Sequence, residues 1–329
     1  MINKIGLWVT AGISIATISM ALGLSRLYNR WKGQQLGRLQ TDSQLLETPL
    51  GPIEYQEEGD ISAPAVMVLH GSPGGYDQSR AFMHALGIRG FRMLYVSRPG
   101  YLRTPVSSGV SFEEQADLYA ALLKELHIEK VMMIAISGGG PSALQFALRH
   151  PNRCCGLIML SALTQSSTLE MIYRTMSWSQ SLRFRLFNAL SAYDPVVYLM
   201  LIKARWQAAK HELQEKLELT SALSFQSMRK PGYMNDVRLF AHIPAYPLQH
   251  ITTPTLILHG MNDADVPLTQ AEFMMTKIPQ ARLLAFEGDH FFMLAQENRE
   301  TVSSAMLAFL HTFEQVPLDT TDRDNTIAN

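Results

Sequence analysis

Six short apolar runs, separated by stretches with helical spacing, constrain this chain more than any other feature. They are Ala65–His70, Arg92–Val96, Val131–Ile136, Cys154–Leu160, Pro254–His259 and Ala281–Phe286. Runs of this length, close to continuously apolar and bounded by turn residues, read as strands buried on both faces. Between them the period changes. In Ser111–Leu126, residues Phe112, Ala116, Tyr119, Leu122, Leu123 and Leu126 fall on one helical face, and Ser111 with Glu114 forms a capping box. Pro141–Arg149 reads as a second helix. This alternation predicts a mostly parallel sheet with helices on both faces. Ahead of it, Leu46–Gly59 alternates loosely around Gly51-Pro52 and reads as a hairpin.

The rhythm breaks from about Leu163 to Leu248. No buried strand is legible there. Helical spacing and large apolar residues such as Met171, Tyr173, Met176, Trp178, Phe184, Phe187 and Trp206 predict a helical insertion between two strands. The final residues, from about Leu318, are polar and predicted to be disordered.

Charge narrows the function classes. The formal net charge is −1, and charged residues make up 17% of the chain. No basic surplus points to nucleic acid. The two cysteines, Cys154 and Cys155, are adjacent. Neighbouring residues are poorly placed to bridge, so they read as small fillers of a buried strand rather than a disulfide or zinc site.

The low charge has one local cause. Ile5–Leu24 is twenty residues without a charge, and such a helix would rise about 30 Å, close to the thickness of a bilayer's hydrocarbon core. A cleaved signal peptide is the alternative, with Ala21-Leu22-Gly23 offering small residues. The run is longer than the usual apolar region of such peptides. Arg26, Arg30, Lys32 and Arg38 also follow at once, with no acidic residue before Asp42. An uncleaved transmembrane anchor is therefore expected, with the basic side and the rest of the chain facing the cytoplasm.

The third buried run carries the chemistry. Val131–Ile136 leads straight into Ser137-Gly138-Gly139-Gly140-Pro141. A strand turning sharply into a helix through a serine forces that serine into a strained conformation and requires small neighbours, here Ala135 and Gly139. Glycines after a strand can equally cradle a phosphate. No lysine follows Gly140, which leaves a phosphate loop poorly supported. A serine hydroxyl needs a base, and the base needs a partner that fixes its tautomer. Asp263, in Gly260–Pro267, and His290, in Glu287–Phe291, each follow a buried run, giving the chain order Ser, acid, His. Asp265 is the reserve for the acid. An acyl-transfer site also needs oxyanion donors. The N–H of Gly138 is one candidate. Ser72, in His70-Gly71-Ser72-Pro73-Gly74-Gly75, supplies the other; Pro73 has no N–H to give. His70 and Arg98 read as braces of that loop.

Taken together, His70–Gly75, Ser97-Arg98-Pro99-Gly100, Ala135–Pro141, Gly260–Asp263 and Gly288–Phe291 resemble the α/β-hydrolase superfamily, and the loop at His70–Gly75 is similar to that of its esterase and proline-iminopeptidase-like members. The resemblance covers roughly Leu46–Glu314. It departs at Ala135, where most members have glycine. It implies an eight-stranded, mostly parallel sheet, a helical cap, and a triad of Ser137, His290 and Asp263. The expected organisation is an anchor and basic segment over 1–38, a hydrolase core over 39–162 and 251–317, a cap over 163–250 and a tail over 318–329. The expected activity is hydrolysis of carboxylic esters through an acyl-enzyme on Ser137, acting on an apolar or amphiphilic small molecule. No metal or organic cofactor is implied. An aminopeptidase of the proline-iminopeptidase type, or a non-catalytic ligand-binding relative, are the alternative readings.

Overall fold

A computed structural model describes residues 4–168, 171, 178–191, 193–207, 219 and 224–313. Two compact units are distinguished, Met1–Gln44 and Leu45–Asn329. In the first, one helix runs unbroken over Lys4–Thr41. Among the described residues no helix is long and apolar enough to cross a membrane. The side chains at 4–18, 20 and 21 lie outside the description, and most of the run Ile5–Leu24 falls there. The expected membrane span is therefore not among the structural findings. The expected tail over 318–329 also lies outside the described residues.

The second unit is built on an eight-stranded sheet in the order β1-β2-β4-β3-β5-β6-β7-β8. The strands are β1 Gln44–Thr48, β2 Gly51–Glu58, β3 Ala65–Leu69, β4 Arg92–Val96, β5 Val131–Ile136, β6 Cys154–Leu160, β7 Thr255–Gly260 and β8 Ala281–Phe286. All six apolar runs are strands, within one residue of their expected ends. β2 pairs antiparallel with β4, and the pairs from β3 to β8 are parallel. The turn between β1 and β2 is Pro49-Leu50, two residues earlier than Gly51-Pro52 suggests. Thr48 receives the N–H of Leu50 and bonds the carbonyl of Gly51, whose φ of 116° suits glycine.

Alternation along the strands buries both faces. Met67, Leu69, Met133, Ala135, Leu157, Met159 and Ile257 pack with the helices Phe112–Glu125, Gly140–Arg149 and Leu268–Lys277. The intervening Val66, Val68, Ile134, Ile158 and Leu258 are equally buried. Ser111 caps the first of those helices in the expected reciprocal box with Glu114. The chain runs from β3 outward to β4, then returns to the other side of β3 as β5. Their register sets Leu69 beside Ala135. The loop after β3 and the turn after β5 must therefore meet at one edge of the sheet, where ligands of such sheets bind.

Between β6 and β7 the described residues include three α-helices, where the sequence predicts a helical insertion. Its described helices are Trp178–Ser191, Asp194–Gln207 and Gln226–Phe240.

The helix after β5 is held close by a missing side chain. A Cβ on Gly140 would lie 2.2 Å from the carbonyl oxygen of Leu163, and the N–H of Leu163 donates to the carbonyl of Ser137 at 3.0 Å. Gly140→Ala is expected to destabilise the protein by about 1–3 kcal/mol, the usual cost of overpacking. Thermal denaturation of the variant should show a melting point lower by several degrees; an unchanged value would contradict this packing.

Candidate active site

Ser137 sits where β5 breaks into the helix Gly140–Arg149, with φ at 49°. A non-glycine residue in that region is strained and is held there by its surroundings. Those surroundings are tight. A Cβ on Gly139 would lie 2.9 Å from the carbonyl oxygen of Leu69, and one on Gly71 would lie 3.2 Å from Cβ of Ser137. Ala135, the departure from the family pattern, is fully buried in β5, so its methyl fits there.

Two loops from the far strands deliver the partners. Asp263 follows β7 and His290 follows β8. They cross closely: the N–H of Asn262 bonds the carbonyl of Gly288 at 2.9 Å, and a Cβ on Gly260 would meet the carbonyl of Asp289 at 2.2 Å. Ser161, at the end of β6, donates to the carbonyl of His290 at 3.1 Å. Asn298 holds the loop from below, donating to the carbonyls of Glu287 and Phe292.

The three expected residues are brought together. Nδ1 of His290 is 2.7 Å from Oδ2 of Asp263, and its Nε2 is 3.0 Å from Oγ of Ser137. The other Asp263 oxygen accepts the N–H groups of Asp265 and Val266 at 2.9 and 2.8 Å, so this buried carboxylate is fixed in direction. With Nδ1–H given to Asp263, Nε2 of the neutral ring is free to accept the serine proton. Asp265 makes no such bond. A second histidine, His259, also lies near Asp263, at 3.4 Å. Its Nε2 is nearer the carbonyl of Val266, at 2.7 Å, and burial lowers its pKa. It stays neutral and takes no part in the relay.

Burial opposes a charge on His290. The hydrogen bond and charge of Asp263, with Asp265 and Asp289 adding to it, outweigh burial and raise its pKa above the ordinary value. Asp265 is pushed up as well, by burial first and then by Asp263 and Asp289. Among the described residues no group of His, Cys, Asp or Glu is arranged to hold a metal ion.

Ser72 and Gly138 face each other across the mouth. A Cβ on Gly138 would lie 3.0 Å from Cβ of Ser72 and 2.7 Å from the ring of Phe240. No described group accepts the backbone N–H of either residue. Both N–H groups are thus without an acceptor among the described residues, and Phe240 stands as a wall beside Gly138.

His70 and Arg98 brace this loop, as the sequence suggests. His70 accepts the N–H of Arg98 at Nε2 and gives Nδ1–H to the carbonyl of Gly71. Burial and the nearby Arg98 charge hold its pKa well down, so the ring is neutral. Arg98 is fully buried and donates to the carbonyls of His70 and Gly71.

The sequence did not reveal what balances Arg98. Asp236, in the insertion's helix Gln226–Phe240, pairs with it through both oxygens. Tyr101 donates to the same carboxylate and lies 3.0 Å from Oγ of Ser72. Burial works against the charge of Arg98, and Asp236 overrides it, keeping the guanidinium protonated. A second buried arginine, Arg229, repeats the device: it donates to the carbonyl of Gly74 and to both oxygens of Asp77. Asp236 and Arg98 lie 138 positions apart, and no local spacing announces such a pair.

Removing one partner of a buried pair strands the other. Asp236→Asn is expected to cost about 3–5 kcal/mol of stability. Replacing both partners with apolar residues, Arg98→Met with Asp236→Leu, should cost less than the sum of the single changes. Denaturant unfolding of Arg98→Met, Asp236→Leu and the double variant checks this; additive losses would show the pair to be uncoupled.

Comparisons with known proteins identify the family and the fold. The profile of the family described as alpha/beta hydrolase fold matches residues 64–296. An uncharacterized hydrolase of Bacillus subtilis (strain 168), YcgS, is 29% identical over 80% of this chain and 96% of its own length. Among solved structures, an esterase from Exiguobacterium antarcticum superposes with a TM-score of 0.58 at 20% identity, over 81% of this chain and 98% of its own. A membrane phospholipase A, described as a bacterial virulence factor, gives a TM-score of 0.61 at 17% identity, over 95% of this chain and 99% of its own. The last two likenesses concern the fold, and the 95% match reaches into residues 1–44. The chain belongs to the α/β-hydrolase fold family.

Proposed function

We propose that this protein is a membrane-anchored serine hydrolase that cleaves carboxylic esters through an acyl-enzyme on Ser137. The carrying observation is the relay from Asp263 through His290 to a strained Ser137, with two backbone donors beside it. Oγ of Ser137 attacks the ester carbonyl while its proton passes to Nε2 of His290. The N–H groups of Ser72 and Gly138 stabilise the oxyanion; in such sites one donor contributes about 3–4 kcal/mol. Collapse breaks the bond to the alcohol, which leaves with the proton from His290. Water then attacks the acyl group, His290 takes its proton, and the acid departs as Ser137 is restored.

Ester chemistry is also in keeping with the esterase and the phospholipase among the fold's neighbours. Membrane attachment rests on the uncharged run Ile5–Leu24. The basic residues Arg26, Arg30, Lys32 and Arg38 favour the cytoplasmic side for the catalytic unit. An enzyme held there meets amphiphilic acyl compounds first, and Phe240 offers an apolar wall beside Gly138.

Ser137→Ala and His290→Ala should each lower kcat by about 10⁴-fold or more, and Ser137→Ala should abolish labelling by a fluorophosphonate probe. Labelling that persists in that variant would move the nucleophile elsewhere.

The pH dependence follows from His290. Its protonated form cannot accept the serine proton, so kcat/KM should rise with pH. The midpoint should lie above the ordinary histidine value of about 6.5, because the raised pKa must be passed before the base is free. Asp265→Asn, which removes one raising charge without breaking the relay, should shift the midpoint down while activity persists. Asp263→Asn should cost about 10⁴-fold in kcat, through the wrong tautomer. A flat profile from pH 5 to 8, or a greater loss from Asp265→Asn than from Asp263→Asn, would contradict the assignment.

Medium-chain p-nitrophenyl esters should outperform the acetyl ester. The full chain should resist carbonate extraction from membranes, and deletion of residues 1–38 should release it. Strict acetyl preference would remove the amphiphilic substrate; extraction of the full chain would remove the anchor.

A further inference from the structure

The insertion between β6 and β7 turns an apolar face to solvent that the catalytic reading does not use. In the helix Trp178–Ser191, apolar residues recur every four positions at Trp178, Leu182, Leu186 and Leu190. At 100° per residue these lie on one stripe that drifts slowly around the helix. Trp178 is 81% exposed, and the three leucines are between 41% and 52% exposed. The next helix, Asp194–Gln207, lies against it and adds Leu199 and Trp206, the latter 87% exposed. Single exposed apolar residues are ordinary, whereas a contiguous set marks an interaction surface.

Among the described residues of these two helices, the charges beside the stripe are basic. Arg183 and Arg185 are exposed and, by helical angle, fall on its opposite borders; Lys203 is exposed on the second helix. The first helix has no acidic residue. The only one in the second is Asp194, whose carboxylate receives the N–H of Phe225. Leucines and tryptophan on one face with cations at the borders are what a helix lying in a lipid interface presents. A second copy of this chain fits less well. A symmetric dimer sets the same patch against itself, which would oppose arginine to arginine on a helix that has no acidic residue of its own.

We propose that this face of the insertion docks on an anionic lipid surface. Trp178, Trp206 and the leucines enter the boundary between headgroups and acyl chains, and Arg183, Arg185 and Lys203 meet the headgroups. The contact is separate from the Ile5–Leu24 anchor and requires neither that anchor nor ester hydrolysis.

The chain has four tryptophans. In the full chain carrying Trp8→Phe and Trp31→Phe, only Trp178 and Trp206 remain to report. This protein is reconstituted into vesicles whose phosphatidylglycerol carries brominated acyl chains, or whose phosphatidylcholine does. Tryptophan emission should fall about twofold or more in the anionic vesicles and clearly less in the zwitterionic ones. Leu182→Ser with Leu186→Ser should restore the emission, and Arg183→Glu with Lys203→Glu should abolish the preference for anionic lipid. Unquenched emission in anionic vesicles would overturn the proposal. So would equal quenching in both lipids that the charge reversals leave unchanged. Self-association in sedimentation, lost with the two serine substitutions and without quenching, would assign the face to a second copy instead. The readout is fluorescence, so an enzyme inactive on every ester can still dock. A failure to dock leaves the Ser137 mechanism untouched.

Discussion

A buried ion pair holds the parts of this site together. Arg98 and Asp236 are both almost wholly removed from water, a placement that ordinarily costs more in lost hydration than the mutual attraction returns. It is tolerable here because few lone pairs or protons are left over. Asp236 receives both arms of the guanidinium and the hydroxyl of Tyr101, and Arg98 spends its other N–H groups on the carbonyls of His70 and Gly71. The pair ties the loop after β3, the segment after β4 and the last helix of the insertion. Without it, the loop that carries Ser72 would lose one of its two ties to the insertion, the other being Arg229 on the carbonyl of Gly74.

The catalytic edge depends on a second economy, in backbone approach. Gly139, Gly140 and Gly260 each stand where a Cβ would strike a carbonyl oxygen of a neighbouring segment. Those contacts bring the turn after β5 against the end of β3, and the loop of Asp263 against that of His290. The relay distances of 2.7 and 3.0 Å are the outcome. The same closeness concentrates carboxylates around His290, which raises its pKa even though it is buried. Positioning and basicity thus have one origin.

Much of this was legible in the sequence because it is written locally. The six apolar runs end within one residue of their strands; five are buried almost throughout, whereas Ala281–Phe286, read as buried on both faces, is the edge strand and is half-exposed. The capping box at Ser111 and the Ser137 turn are patterns a few residues long. Asp263 was separable from Asp265 by its spacing after Gly260, and the structure orients Asp263 toward His290. What escaped is written across distance. Asp236, Arg229 and Tyr101 belong to no motif; their meaning arises only when the insertion folds back over the loop after β3. The hairpin turn was misplaced for a smaller reason: Gly51-Pro52 looks like a turn, but Gly51 takes its positive φ as the first residue of β2, just after it. The apolar run at Ile5–Leu24 remains a statement of sequence.

Asp236 and Phe240 are four residues apart, one turn of a single helix. The first anchors the oxyanion loop, and the second closes over Gly138. One helical turn thus sets both the tether of the loop after β3 and the apolar wall beside Gly138, so a shift in its seating would move the two together.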